Sequence, residues 1–170
     1  MPPIDLLILD IDGTLTDGTI VCHADGTTSR GFHIRDGMGL RLWREAGGRL
    51  AVITAKASPE IRHRLKVLQV EHVVDGCDDK AAGLERVLRE AGPGAAAERT
   101  AYLGDDLLDL PAMRRVAYPM AVADAAPEVR AAAKYVTQLP GGRGAAREAV
   151  EHLLRAAGRW EAVVAKYMGG

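Results

Sequence analysis

The stretch Leu6-Leu7-Ile8-Leu9-Asp10-Ile11-Asp12-Gly13-Thr14 is a short, wholly apolar run that ends on two aspartates and a glycine. Strands buried on both faces read this way, because no side chain on either face meets water. Similar runs recur at 50–53, 70–74, 100–103, 120–122 and 135–136, most of them separated by helix-like stretches. That alternation predicts an α/β fold in which a parallel sheet is flanked by helices on both faces.

Several helix ends are readable. Ser58-Pro59 supplies an N-cap and a proline at the first helical position, and Ala91-Gly92-Pro93-Gly94 stops the helix that runs from Lys80. Between Thr19 and Ile34 the pattern changes to an antiparallel β-hairpin, about 19–34, turning at Asp25-Gly26. The small-residue clusters at 92–97 and 141–146 are too short to divide domains, so one domain is expected over 1–170.

Aromatic residues make up only 4% of the chain against 48% apolar, so the core is expected to be aliphatic, with Trp43 and Trp160 as packing residues. Lysine plus arginine (22) nearly cancels aspartate plus glutamate (23), which argues against nucleic acid or an anionic membrane as a partner. Cys22 and Cys77 lack metal-ligand spacing and suit a reducing compartment. The first residues have no basic region before their short apolar run, so neither a signal peptide nor a membrane span is expected there. A cytoplasmic protein is the expectation.

Four pieces of sequence carry chemistry. In Asp10-Ile11-Asp12-Gly13-Thr14, alternation along an extended segment puts two carboxylates on one side. Two close carboxylates repel unless a cation lies beside them; a bound Mg2+ would remove the repulsion, free one to attack phosphorus and leave the other to handle a proton. Thr54 ends the second run, where its hydroxyl and the following N–H groups can hold phosphate oxygens at a helix N-terminus. Lys80, in Asp78-Asp79-Lys80, can neutralise both a nucleophile and an incoming phosphate. Gly104-Asp105-Asp106-Leu107-Leu108-Asp109 offers a cluster of hard oxygen ligands. Singly, these are turn aspartates, a cap, a surface lysine and a solvated loop. Together, each at the carboxyl end of a predicted strand where open α/β sheets bind ligands, they point to phosphoryl transfer.

Through these four motifs, in this order, the chain resembles the haloacid-dehalogenase superfamily of phosphohydrolases, which have a Rossmann-like fold. The resemblance implies Asp10 as nucleophile and Asp12 as general acid and then base. It implies Thr54, Ala55 and Lys80 on the phosphate, Mg2+ held by Asp10, Asp12 and Asp105, and Asp106 and Asp109 supporting that site. Larger members insert a cap domain between the first and second motifs or between the second and third, and neither gap here has room for one.

The arrangement is most similar to the capless subfamily of 3-deoxy-D-manno-octulosonate 8-phosphate phosphatases, through Leu15-Thr16-Asp17-Gly18, Arg35-Asp36-Gly37-Met38-Gly39 and Gly141-Gly142-Arg143-Gly144-Ala145. That likeness implies a sugar-acid phosphate as substrate and a homotetramer whose neighbours help cover each site, with the segment 141–147 approaching a neighbour and Arg147 available to an anionic substrate. Arg62 and Arg64 are further candidates for a substrate carboxylate, because arginine binds carboxylates bidentately. The subfamily commonly has Thr-Gly-Arg at its second motif, whereas Thr54 is followed here by Ala55-Lys56. With Gly158-Arg159-Trp160-Glu161-Ala162, that departure also resembles phosphatase-like small subunits of phenylphosphate carboxylase systems. A signalling receiver domain uses similar residues, but it carries its phospho-aspartate on a middle strand; here Asp-x-Asp-Gly-Thr comes first and Gly-Asp-Asp late.

Overall fold

The computed structural model describes residues 1–56 and 58–169. Strand β1 (Leu6–Leu9) is buried along its whole length, and β2 (Val21–Cys22) and β3 (Thr28–Ser29) form a separate antiparallel hairpin. Helix α1 (Ile34–Glu45) leads to β4 (Arg49–Ile53), α2 (Pro59–Val67) to β5 (His72–Val74), and α3 (Lys80–Glu90) to β6 (Thr100–Gly104). The short α4 (Leu110–Met113) precedes β7 (Tyr118–Ala121), α5 (Pro127–Ala132) precedes β8 (Tyr135–Val136), and α6 (Ala145–Ala156) and α7 (Trp160–Ala165) close the chain. One six-stranded sheet results, ordered β5-β4-β1-β6-β7-β8, with every pair parallel.

Helices cover both faces, as the alternation predicts: α1, α6 and α7 pack together, and so do α3, α4 and α5. The core is aliphatic, with Trp43 and Tyr102 its two fully buried aromatics. Trp43 lies against the backbone at Gly48 and donates its indole N–H to the Arg49 carbonyl at 2.8 Å. The helix starts are set by side-chain caps. Ser58 accepts from the Ile61 amide, and Asp79 accepts from the amides of Ala81 and Ala82, which makes Lys80 the first residue of α3.

The hairpin turns at Asp25-Gly26, where Gly26 takes a positive φ of 85° and the Asp25 side chain accepts from the Thr27 amide at 2.9 Å. The apolar run at 70–74 overstates its strand. Gln69 is left-handed and the Val70 amide bonds the Leu65 carbonyl at 3.1 Å, so these residues close α2 and the ladder starts only at His72.

Candidate active site

Parallel strands bring their carboxyl ends to one edge. Leu9 is level with Val52 on one side and Leu103 on the other, so Asp10, Thr54 and Asp105 leave the sheet together. Lys80 enters from the first turn of α3, its side chain only 3% exposed, with Nζ 2.8 Å from Asp10 Oδ1 and 2.6 Å from Asp109 Oδ1. Asp109 is fully buried and committed on all sides. Its Oδ1 also accepts from the Tyr102 hydroxyl at 2.8 Å, and its Oδ2 accepts from the amides of Asp105 (2.9 Å) and Asp106 (3.1 Å). Asp109 therefore pins the Gly104-Asp105-Asp106 turn and orients Lys80. Gly104 is required beside it, since a Cβ there would stand 2.5 Å from the Asp109 carboxyl carbon.

Asp105 faces Asp10 from the other side, its Oδ1 accepting from the Thr14 hydroxyl at 2.7 Å. Gly13 lies so close to that carboxylate that a Cβ would collide with it, and its positive φ of 97° lets the chain turn away. Gly141 and Gly142 press on the same loop. The Gly142 amide donates to the Thr14 carbonyl at 2.9 Å, and a Cβ on Gly141 would run into the Gly13 carbonyl. The segment expected to approach a neighbouring copy thus packs on its own chain's Gly13–Asp17 turn, with Arg143 paired to Asp17 at 3.0 Å.

Burial pushes the Asp10 carboxyl up to about 6, helped by the charge of Asp109 and opposed by Lys80. Burial pushes Asp105 up to about 8, with Asp10 adding to it. Burial works against the charge on Lys80, but Asp10 and Asp109 outweigh it and hold the ammonium above its ordinary range. Oxygens of Asp10, Asp105 and Asp109 all lie within 4.8 Å of one another around this single lysine. Asp109 is already fully engaged, so the two carboxylates resisting ionisation, Asp10 and Asp105, have lone pairs to offer. A close pair of hard oxygen donors with excess negative charge fits a small divalent cation such as Mg2+.

Asp12 stands apart from that cluster. The resemblance gives Asp12 to the metal as well; its side chain lies on Arg30, Nε to Oδ1 at 2.7 Å and Nη2 to Oδ2 at 3.1 Å. The same guanidinium reaches Glu60 in the first turn of α2 at 2.6 Å, and Glu60 also accepts from the Thr28 hydroxyl at 2.9 Å. Neither Arg30 nor Glu60 was singled out from the sequence. The available signal was alternation, which in an extended segment puts Thr28 and Arg30, the latter just past β3, on one side.

Thr54 is buried, its amide bonded to the Val74 carbonyl at 2.9 Å and its carbonyl accepting from Cys77 at 3.0 Å. With its main chain locked, Thr54 turns its hydroxyl onto the following loop, donating to the Lys56 carbonyl and accepting from the Lys56 amide, both at 3.4 Å. The other basic candidates are engaged with different groups. Arg62 pairs with Asp75 at 2.7 Å; Arg64 lies over the Phe32 ring and against Gly37; Arg147 pairs with Glu151 at 2.6 Å and lies over Trp160. Asp106 caps the turn at 107–109, its carboxylate accepting from the Leu107 amide at 2.7 Å.

Residues 69–147 match the family model described as haloacid dehalogenase-like hydrolase. The chain is 39% identical over 156 residues to 3-deoxy-D-manno-octulosonate 8-phosphate phosphatase of Escherichia coli, covering 92% of this chain and 82% of that protein. The enzyme of the same name from Moraxella catarrhalis, crystallised with magnesium, phosphate and 3-deoxy-D-manno-octulosonate, superposes with a TM-score of 0.92 at 35% identity, covering 96% of this chain and 93% of that one. The cobalt-bound phosphatase of Haemophilus influenzae gives a TM-score of 0.88 at 37% identity over 92% of this chain and 91% of the other.

Proposed function

Because the chain belongs to the haloacid dehalogenase-like hydrolases, in the capless branch of the 3-deoxy-D-manno-octulosonate 8-phosphate phosphatases, we propose that it hydrolyses that sugar-acid phosphate or a close analogue of it with Mg2+. The observation that carries the reading is the buried Lys80 ammonium held between Asp10 and Asp109, with the Asp105 carboxylate alongside.

An Asp10 oxygen attacks the phosphorus as the bond to the sugar oxygen breaks. The departing oxygen keeps that electron pair and takes a proton from Asp12. Water then attacks the phosphorus of the Asp10 phosphate and gives a proton to the Asp12 carboxylate. The bond to Asp10 breaks, releasing phosphate and restoring the nucleophile. Lys80 holds Asp10 in place and offsets charge on the phosphoryl oxygens, while the Thr54 hydroxyl and the amides after it hold those oxygens in line. Asp10 and Asp105 would hold Mg2+, whose positive charge would let two buried carboxylates and a phosphate share the site. Asp12, the third residue that the resemblance gives to the ion, has its side chain on Arg30.

The same reading includes association into a homotetramer in the cytoplasm. Ile20 and Val21 of the hairpin are exposed, and no helix among the described residues is long and apolar enough to cross a membrane. Light scattering that returns a monomer would remove the tetramer. The substrate is tested by Mg2+-dependent phosphate release from 3-deoxy-D-manno-octulosonate 8-phosphate, related nonulosonate 9-phosphates, phenyl phosphate and common sugar phosphates. Preference for one sugar-acid phosphate supports the reading; preference for phenyl phosphate moves the chain toward carboxylase systems, and equal turnover of all removes the substrate assignment.

A further inference from the structure

We propose that Arg30 is a positioning residue for Asp12, fixing the proton-transfer carboxylate at the site while tying it, through Glu60, to the helix that follows the phosphate-holding Thr54; this rests on the phosphatase reading above. Arg30 meets both oxygens of Asp12 with two N–H groups at 2.7 and 3.1 Å, a fork that fixes the plane of the carboxylate as well as its place. A lysine at the same position would offer a point charge and leave that plane free to rotate. The third contact, Nη1 to Glu60 Oε1 at 2.6 Å, sets the guanidinium itself. Glu60 is held in turn by the Thr28 hydroxyl at 2.9 Å and stands one residue after the proline that opens α2.

The arrangement is built rather than casual. The Arg30 side chain is 4% exposed although it leaves a hairpin of two-residue strands, so its order comes from these two acids. Asp12, by contrast, follows the last strand residue by three positions, and among the described residues Arg30 is its only side-chain partner. Without Arg30 its carboxylate has no group to aim it. The hairpin, the Asp12 turn and the start of α2 are thereby one mechanical unit, in which proton transfer and phosphate holding share a brace.

The first half-reaction gives this a readout that a purely structural role would not move. An alkyl leaving oxygen must take the Asp12 proton as its bond to phosphorus breaks, whereas p-nitrophenolate departs without one. Turnover by the wild-type protein, Arg30→Ala, Arg30→Lys and Glu60→Gln is compared on p-nitrophenyl phosphate and on a sugar phosphate that the wild type accepts, with Asp12→Asn as the benchmark and melting curves for every variant. The value compared is kcat/KM, which reports on steps up to the first irreversible one. Arg30→Ala is expected to lose roughly 10- to 100-fold on the sugar phosphate, less than the roughly 100- to 10,000-fold that general acid–base catalysis contributes in full, because the Asp12 carboxyl remains and holds a proton more readily without the guanidinium; on p-nitrophenyl phosphate the loss is only a few-fold. Arg30→Lys recovers part of the loss, and Glu60→Gln shows the same selective pattern at smaller size. Should Arg30→Ala fail to fold, Glu60→Gln and Arg30→Lys carry the test. Equal losses on both substrates overturn the inference and leave the phosphatase standing; a wild-type protein that releases phosphate from neither substrate overturns both.

Discussion

Asp10 and Asp109 share one lysine, yet replacing each with asparagine should move stability in opposite directions. Asp109 accepts four hydrogen bonds while buried, from Lys80, Tyr102 and the amides of Asp105 and Asp106. An asparagine there has one acceptor oxygen. With that oxygen on the two amides, its NH2 can donate to the Tyr102 hydroxyl oxygen but faces the Lys80 ammonium donor against donor; turned the other way, two buried amides lose their acceptor. Losing a charge-assisted bond and opposing two donors costs about 3 kcal/mol, at the low end for a broken buried pair because Lys80 keeps Asp10. For a chain of this length that lowers the melting temperature by about 6 to 12 °C. Asp10, in contrast, is pushed up to about 6 by burial and by Asp109, so at neutral pH its charge works against the fold. Asp10→Asn removes that charge and leaves Lys80 paired with Asp109. In EDTA at neutral pH its melting temperature should equal or exceed the wild type, while turnover vanishes. Thermal melts of the three proteins decide it, and a melting temperature for Asp10→Asn as low as that of Asp109→Asn would refute the assignment of roles around Lys80.

The pH dependence of the metal-free protein follows from the same carboxylates. Their folded values, about 6 for Asp10 and about 8 for Asp105, lie above the unfolded carboxylate value of about 3.9, so the folded state holds protons that the unfolded state has released. Stability in EDTA should therefore fall as pH rises from about 4 to about 8, and the gain in melting temperature from Mg2+ should be larger at the upper end; an equal gain across that range would contradict it. Gly141→Ala drives a Cβ into the Gly13 carbonyl, and we expect a loss on the order of 3 kcal/mol with reduced turnover. Gly94 takes a positive φ of 99° but has open space around it, so Gly94→Ala should lose only about 1 kcal/mol and leave turnover unchanged. Urea unfolding and initial rates of the two variants check the contrast.

The parts of the fold that local patterning controls were legible. The continuous run before Asp10 and its counterparts before Thr54 and Asp105 mark strands buried on both faces, and parallel pairing then brings their ends to one edge whatever the details between. Lys80 was legible only through the order of the four motifs, since alone it reads as a surface lysine; that Asp79 caps the helix carrying it emerges only in the structure. What sequence could not give was partner choice. Arg30 meets acids 18 and 30 positions away, from a hairpin too short to impose a pattern. Arg62, Arg64 and Arg147 have the chemistry to hold a carboxylate, and nothing in their spacing foretold that they would lie against Asp75, Phe32 and Glu151 in the folded chain. The Gly141-Gly142 pair stood out only as part of a small-residue cluster matching the subfamily; tertiary packing shows why no side chain fits there. Asp109 likewise looked like a member of an acidic loop, and its anchoring role depends on Tyr102, whose hydroxyl points from within β6.

The most direct test of the central claim is to trap the phosphorylated residue. The protein is mixed with Mg2+ and a substrate that it turns over, quenched during turnover, reduced with borohydride and digested for mass spectrometry, which converts an aspartyl phosphate to homoserine at its own position. The account requires homoserine at position 10, dependent on substrate and absent from Asp10→Asn. Homoserine at another aspartate, or continued phosphate release by Asp10→Asn, would contradict it.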